Sequence, residues 1–183
     1  MAKVVVVFHS GYGHTQRMAQ SVASGANAEL LQIDADGNLS EGGWESLAAA
    51  DAIIFGSPTY MGSVSWQFKK FADASSKPWY VQAWKDKIMG GFTASANVNG
   101  DKFSTLHYFM TLAMQHGGIW AGTGIIYNNT KASKREDINY LASSGGPIAQ
   151  TPGDAGGDDM NAGDLETARL FGERIAKLCA AKA

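Results

Sequence analysis

The chain has 183 residues, of which 45% are hydrophobic and 17% are charged, and its formal net charge is −2. This length and composition predict a single domain, residues 1–183, with a buried core, and they exclude intrinsic disorder. Because the lysines and arginines form no cluster, the sequence offers no electrostatic basis for nucleic-acid binding.

In its first half the chain alternates strands with helices. Val4 to Phe8 is a continuous β-branched run, typical of a strand covered on both faces in a parallel sheet. Apolar residues at helical spacing predict a helix over 63–74, with Ser63 as its N-cap. Between these two, the predicted elements are a helix at 16–25, a strand at 30–33, a short helix at 44–50 and a strand at 52–55.

The second half continues the alternation and then becomes irregular. A fourth strand is predicted at 87–93, a fifth at 119–126 and a last helix at 164–180. A helix at 102–115 is expected between the two strands, with its inner side formed by Phe103, Leu106, Met110 and Met114. The stretch 127–162 reads as a long loop, which is usually functional or flexible.

This order of elements predicts an α/β fold with a doubly wound, five-stranded parallel sheet, because parallel strands need crossover connections. Such sheets bind ligands beyond the carboxyl ends of their strands. The loops after the first, third, fourth and fifth strands are therefore the places where a binding site is expected.

The loop after the first strand has the chemistry of a phosphate site. Gly11 and Gly13 keep side chains out of the turn, while Ser10 and Thr15 add hydroxyl donors at the start of a helix. No lysine or arginine lies in this loop. It predicts a phosphate monoester held by neutral donors, although a glycine-rich turn that binds nothing has the same pattern.

Two other phosphate motifs fit this loop less well. A Walker loop needs a lysine where His14 stands, so that interpretation fails. A dinucleotide fingerprint needs a third glycine where Gln16 stands, although Asp34, about twenty residues downstream, keeps that alternative open.

The loops after the third and fourth strands suit a flat, polar ring. Pro58 stiffens the first of them, Thr59 can hydrogen-bond, and Tyr60 offers an aromatic face. Residues 93–100 carry small side chains and exposed backbone amides that can bind the polar edge of a ring. Each loop alone also fits an ordinary turn, and only their combination indicates a ligand.

Several segments resemble the flavodoxin-like superfamily and, within it, the WrbA-type NAD(P)H:quinone oxidoreductases. They are residues 10–15, 51–62 and 92–100, with shorter matches at 111–113 and 166–169. The resemblance implies strand order 2-1-3-4-5, FMN as the cofactor, NADH or NADPH as co-substrate, a quinone as acceptor, and a homodimer or homotetramer.

The resemblance also implies which residues bind FMN, with the phosphate on residues 10–15, the ring on the second loop and its pyrimidine edge on the third. The full set is Ser10, Gly11, Tyr12, Gly13, His14, Thr15, Pro58, Thr59, Tyr60, Met61, Gly62, Thr93, Ala94, Ser95, Ala96, Asn97 and Asn99. Trp79 matches the family's aromatic residue over the substrate pocket, at a place where it can reach a neighbouring subunit. His116 lies one residue from the position of the family's active-site histidine.

The sequence also departs from the family pattern. Tyr60 stands where the family commonly has an arginine beside the flavin, and the stretch after the second strand is short. We expect hydride to pass from NAD(P)H to FMN and then to a quinone. A one-electron carrier without NAD(P)H activity is the alternative, but such carriers tend to be strongly acidic, and this chain is not.

The remaining predictions concern location and metals. No apolar run is long enough to span a membrane, and the N-terminus does not read as a signal peptide. Cys179 is the only cysteine, so no internal disulfide is possible, and a cytoplasmic location is expected. The acidic residues Asp154, Asp158 and Asp159 fit no calcium loop, and we expect a solvated turn there.

Overall fold

A computed structural model describes residues 2–182, and strands and helices alternate along the chain. The strands are β1 (Val4–Phe8), β2 (Glu29–Gln32), β3 (Ala52–Tyr60), β4 (Ser63–Val64), β5 (Ile88–Ser95), β6 (Ile119–Trp120) and β7 (Ile148–Gln150). The helices are α1 (His14–Ala26), α2 (Gly43–Ala49), α3 (Trp66–Ala74), α4 (Ser76–Tyr80), α5 (Lys102–Gln115) and α6 (Ala162–Lys182), and Gly157–Asp159 form a 3-10 turn.

The main sheet is parallel and has the order β2-β1-β3-β5-β6. Counted along its parallel strands, this is the predicted order 2-1-3-4-5, and the predicted α/β, doubly wound fold is confirmed. In the register Val4 lies opposite Ala52 and Phe8 opposite Gly56, so β1 and β3 end at the same edge. The loops predicted to bind a ligand therefore start side by side.

Two apolar layers hold helices against the two faces of the sheet. Alternate residues of β1 point to opposite faces, so Val4 and Val6 contribute to one layer and Val5 and Val7 to the other. The first layer packs under α1 and α6, and includes Phe171. Burial on both faces explains why β1 tolerates no polar residue.

The fifth strand differs from the prediction of one strand over 119–126. Only Ile119 and Trp120 pair with β5 before the chain leaves the sheet, and Gly124 takes a positive φ of 65°. The chain returns as β7, which pairs with the carboxyl end of β5. The edge position is thus shared by two short strands, and the segment 121–147 is inserted between them.

The helix predicted over 63–74 is shorter, because its start belongs to a hairpin. Ser63 and Val64 pair antiparallel with Tyr60 and Thr59, so the prediction that Ser63 is the N-cap was wrong. Ser65 caps α3 instead, and its hydroxyl accepts the backbone N–H of Phe68 at 3.3 Å.

The prediction of which residues form the inner side of α5 was also wrong in part. Phe103 and Met114 are exposed, whereas Leu106, Phe109 and Ala113 are buried. These buried positions repeat every three or four residues, so the helix is turned by about one residue from the predicted phase.

Candidate functional site

The carboxyl edge of the sheet holds a cavity of about 550 Å³, within the range of small-molecule sites. We call it the loop cavity. It is lined by Gly11, Tyr12, His14, Thr15, Pro58, Thr59, Tyr60, Met61, Gly62, Ala94, Ser95, Ala96, Asn97, Gly100, Asp101, Thr151 and Gly153. The three loops singled out in the sequence therefore meet in one place.

The first loop is held open by Ser10. Its Oγ accepts the backbone N–H of Gly13 at 3.1 Å and of Gln16 at 3.2 Å. Gly13 takes a positive φ of 91°, which favours glycine. The loop thereby curls so that the backbone N–H groups of residues 11, 12, 14 and 15 donate to no acceptor among residues 2–182. These free donors lie at the N-terminus of α1, where a helix favours an anion.

The second loop is a tight hairpin that presents aromatic and apolar side chains. Met61 and Gly62 both take positive φ values, 48° and 77°, as a two-residue hairpin turn requires. Met61 is fully exposed at the tip, and the Tyr60 and Tyr12 rings meet edge to face at 6.3 Å. Burial, and to a smaller extent Tyr12, raises the pKa of Tyr60, so its phenol stays protonated and can donate.

A buried chain of hydroxyl groups supports this hairpin from below. Thr59 Oγ1 lies 2.8 Å from Thr93 Oγ1 and 2.8 Å from Thr105 Oγ1. The contacts join β3, β5 and α5. Thr93 therefore holds Thr59, which lines the cavity, in place. This arrangement fixes the height of the second loop above the sheet.

Thr151 is a cavity residue that the sequence patterns did not indicate. It is 1% exposed, and its hydroxyl has no hydrogen-bond partner within residues 2–182. It follows β7, which only the tertiary pairing with β5 reveals. Asp101 and Gly153 were missed as well, whereas Gly100 lies in the predicted loop 93–100. Nothing in the irregular sequence around Thr151 or Gly153 distinguishes them from other loop residues.

Most of the predicted cofactor-binding residues line the loop cavity, and four do not. Ser10, Gly13 and Thr93 lie directly behind its wall, as described above, and Asn99 is exposed on the third loop. His14 reaches across to the segment after Thr151, where its Nε2 lies 2.7 Å from the carbonyl oxygen of Ala155.

His116 and Trp79 lie elsewhere in this chain, in a second cavity of about 230 Å³. We call it the His116 cavity. It lies between α3, α4 and α5, and its lining residues are Ala72, Asp73, Ser75, Ser76, Trp79, Tyr108, Leu112, Gln115 and His116. The two cavities share no lining residue. Within one copy of the chain, neither residue forms part of the loop cavity.

The hydrogen bonds of His116 define its protonation. Ser75 Oγ donates to the carbonyl oxygen of Ala72 at 2.6 Å, so it accepts from His116 Nε2–H at 2.9 Å. His116 Nδ1 then carries no proton and is buried without a partner among residues 2–182. The ring stacks on Trp84 at 4.2 Å, and burial lowers the pKa of His116 to about 4. His116 is therefore neutral at physiological pH.

The residues of the loop cavity fit the cofactor that the sequence resemblance implies. Free backbone N–H groups at a helix N-terminus suit a phosphate, and Tyr60 with Met61 suits a flat ring. The unpartnered hydroxyl of Thr151 adds a polar atom that a ligand can satisfy. No group of three or more potential metal-ligating side chains occurs within residues 2–182.

Comparisons with known proteins agree with this geometry. A family model described as NADPH-dependent FMN reductase matches residues 43–130. The chain is 54% identical over 178 residues to a protein named flavodoxin FldP from Pseudomonas aeruginosa, covering 97% of each. It is 31% identical over 207 residues to an NAD(P)H dehydrogenase (quinone) from Trichlorobacter lovleyi, covering 98% of each.

A solved structure resembles the whole chain. It is described as the flavodoxin, WrbA-like protein from Agrobacterium tumefaciens, is 53% identical, and superimposes with a TM-score of 0.82 over 100% of both chains. Among the helices of residues 2–182, none is both long and apolar enough to cross a membrane.

Proposed function

The chain belongs to the flavodoxin-like, WrbA-type family of FMN proteins, and from that premise we propose that it passes hydride from NAD(P)H to quinones. FMN is the cofactor, and NAD(P)H is the electron donor. When bound, FMN supplies a ring that accepts and then releases a hydride. The observation that carries the proposal is the loop cavity, in which three loops meet beside exposed aromatic side chains.

The chain's own residues have two tasks in this function. The free N–H groups of residues 11, 12, 14 and 15 hold the phosphate, and the hairpin around Tyr60 and Met61 sets the depth of the ring. No general acid or base of the chain is assigned, because the hydride moves between stacked rings and solvent at the open side of the cavity can supply the proton that completes the hydroquinone. The cavity wall accordingly contains no buried carboxylate or histidine: His14 is half-buried and Asp101 is exposed.

The open side of the cavity suits two planar substrates that bind in turn. Tyr12 is 78% exposed and meets Tyr60 edge to face, so the two rings form a wall without closing the cavity. A nicotinamide or a quinone can stack against this wall. Use of one surface by both substrates favours a cycle in which one leaves before the other binds.

The roles of Trp79 and His116 belong to the same proposal and require a second copy of the chain. Trp79 is the residue that can contact another copy, whereas His116, only 4% exposed, contributes by supporting the surface that carries Trp79. Both lie in the His116 cavity of their own copy. Trp79 is 44% exposed and its neighbour Tyr80 is 82% exposed, so this aromatic surface can face another subunit. A homodimer or homotetramer that works in the cytoplasm completes the proposal.

Anaerobic spectroscopy tests the function. The protein is loaded with FMN, and the visible spectrum is recorded before and after addition of NADH or NADPH and then of benzoquinone. We expect the flavin bands to bleach and then to recover. Bound FMN that NAD(P)H leaves oxidised would contradict the reductase and favour a one-electron carrier.

A matched pair of variants separates substrate binding from cofactor binding. Tyr12→Ala removes an exposed ring of the loop cavity and should raise the KM for NAD(P)H severalfold, with little change in FMN affinity. Phe103→Ala removes another exposed ring, which lines neither that cavity nor the His116 cavity, and should leave both values unchanged. Equal effects of the two substitutions would contradict the assignment of the substrate surface.

A further inference from the structure

Lys102 is a buried cation directly behind the loop cavity. It is the first residue of α5 and is 1% exposed. Its Nζ donates to the carbonyl oxygens of residues 97, 98 and 99 at 2.5, 3.0 and 3.4 Å. Asn97, Gly100 and Asp101 of the same loop line the cavity, so a positive charge lies one layer behind its wall.

This contact orients three peptide groups. In a trans peptide the C=O and N–H bonds point in opposite directions, and the chain has no cis peptide bond within residues 2–182. With three carbonyl oxygens directed at Lys102, the N–H groups of residues 98, 99 and 100 point away from it. None of the three donates to an acceptor in the described part of the chain. The loop therefore presents unused donors, with a positive charge on their far side.

Neither burial nor helix position favours a lysine here. An ammonium group loses hydration when it is buried, and the N-terminus of a helix repels positive charge. Burial lowers the pKa of Lys102 to about 8, while Asp164 acts in the opposite direction and Arg135 adds to the lowering. An apolar side chain would fill the same space but would leave the carbonyl oxygens of residues 97, 98 and 99 without this donor, so the hydrogen bonds to the loop, and not packing, account for the lysine.

We propose that Lys102 is a positioning residue for the flavin. It holds the third loop so that the N–H of Gly100, the one of residues 98, 99 and 100 that lines the loop cavity, faces the cofactor, and its charge stabilises the negative charge that FMN gains on reduction. The proposal rests on the function proposed above only in placing FMN in the loop cavity. It also gives this chain a cation behind the flavin, where Tyr60 provides none beside it.

A charged network holds the neighbouring chain segments in place around Lys102. Arg135, in the inserted segment, binds Asp164 of α6 through two contacts of 2.7 and 2.5 Å. Gln150 donates its backbone N–H to Asp164 at 3.1 Å and its side-chain amide to the carbonyl oxygen of Ala96 at 2.8 Å. Asp101 precedes Lys102 on the cavity side. Asp164 raises the pKa of Lys102 and Arg135 lowers it, and burial lowers it more than either charge changes it.

Three variants test the proposal without NAD(P)H or a quinone. Lys102→Met removes the charge but keeps the length, and Lys102→Arg keeps a charge. Lys87→Met is the matched control, because Lys87 also donates to two backbone carbonyls, those of Ala48 and Ala50, but just before β5 begins, at the opposite edge of the sheet. The affinity for oxidised FMN and the midpoint potential of the bound cofactor are measured with dithionite as reductant.

We expect Lys102→Met to weaken the binding of reduced FMN about tenfold more than that of oxidised FMN, which is the order of a charge interaction across a loop. For a two-electron couple this lowers the midpoint potential by about 30 mV. Lys102→Arg should have a midpoint potential close to that of the wild type. Lys87→Met should change neither the midpoint potential nor the FMN affinity.

An equal loss of affinity for both redox forms in Lys102→Met would overturn the proposal, because a purely structural lysine acts on both alike. If Lys102→Met does not fold, the pH dependence of the midpoint potential in Lys102→Arg tests the proposal instead. Above pH 8 the wild-type potential should fall more steeply than that of Lys102→Arg, whose guanidinium stays charged, and parallel profiles would overturn the proposal. Failure of NAD(P)H to reduce bound FMN contradicts only the function above, whereas absence of FMN binding contradicts both.

Discussion

The loop cavity and the His116 cavity both contain a buried polar atom without a protein partner, but in different surroundings. In the loop cavity the hydroxyl of Thr151 accompanies free N–H groups and side chains that leave the space open. In the His116 cavity the ring nitrogen of His116 is covered by Trp84 and fixed from its other side by Ser75. The first arrangement leaves its donors available to a ligand, and the second uses its polar groups to join helices.

This difference shows that family resemblance can assign residues to one site that a single chain places in two separate cavities. Family resemblance assigns residues of both cavities to the same active site. The structure separates them, because α3 and α4 carry Trp79 to the side of the sheet rather than to its carboxyl edge. Each of the following predictions concerns a residue that lines or supports one of the two cavities.

The largest expected effect is the pH dependence of stability caused by His116. Burial lowers its pKa in the folded chain to about 4, whereas an unperturbed histidine has a pKa of 6.5, so the unfolded chain binds the proton first as the pH falls. The free energy of unfolding should therefore be unaffected above pH 6.5 and decrease by about 3 kcal/mol between pH 6.5 and 4.

Denaturant titrations of the wild type and His116→Phe at several pH values measure this contribution. The substitution keeps an aromatic ring against Trp84 but removes the titrating imidazole. The difference in free energy of unfolding between the two proteins should therefore change only below pH 6.5. A difference that stays constant down to pH 4 would mean that His116 is not held neutral by burial.

Removal of the Ser10 hydroxyl should have the next largest effect. Ser10→Ala leaves the N–H groups of Gly13 and Gln16 without their acceptor, which costs about 2 kcal/mol, or roughly thirtyfold in FMN affinity. Fluorescence titration with FMN measures the change. Ser76→Ala, in the wall of the His116 cavity, is the control and should bind FMN as the wild type does. Similar losses in both variants would contradict the placement of the phosphate.

Substitution of Thr151 should have a smaller effect. It should increase the stability of the cofactor-free protein and decrease its affinity for FMN. Thr151→Val removes a buried hydroxyl without a partner, so the cofactor-free protein should gain about 1 kcal/mol in stability. FMN affinity should fall by roughly fivefold, because the ligand loses a polar contact.

Thr123→Val is the matched control for this substitution. Thr123 is also buried, and its hydroxyl also has no partner among residues 2–182, but it does not line the loop cavity. It should increase stability and leave FMN affinity unchanged. If both variants bind FMN equally well, Thr151 takes no part in the site.

The smallest expected effect concerns Trp79. Trp79 lies outside the loop cavity of its own chain, and its proposed role in another copy is at the substrate pocket. Trp79→Ala should therefore change FMN affinity by less than about twofold, well under 1 kcal/mol. Titration with FMN, together with the oligomeric state by sedimentation, measures both quantities. A tenfold loss of FMN affinity would show that Trp79 of another copy reaches the cofactor.

Local patterns predicted where the central strands begin, but not where β3 and β5 end. β3 continues to Tyr60 and β5 to Ser95. Pro58, predicted to stiffen a loop, therefore pairs with Ala94 within the sheet. The β-branched run of β1 and the glycine-rich turn after it each have one favourable conformation, so their structure follows from neighbouring residues alone. Predictions failed where a few residues could take several conformations. Ser63 has the chemistry of an N-cap, but pairing with Tyr60 takes it into a hairpin, and Phe103 has the apolarity of a core residue on the wrong face of α5.

The sequence by itself therefore determined the α/β alternation, the edge of the sheet at which the loop cavity lies and most of the residues that line it. These depend on interactions within short segments and on the general rule that parallel strands end together. The tertiary structure alone decided the two-part edge strand, the inclusion of Thr151 in the loop cavity, the burial of Lys102 behind it and the separation of His116 from it. Each of these depends on contacts between residues distant in the sequence, and no pattern of neighbouring residues encodes such contacts.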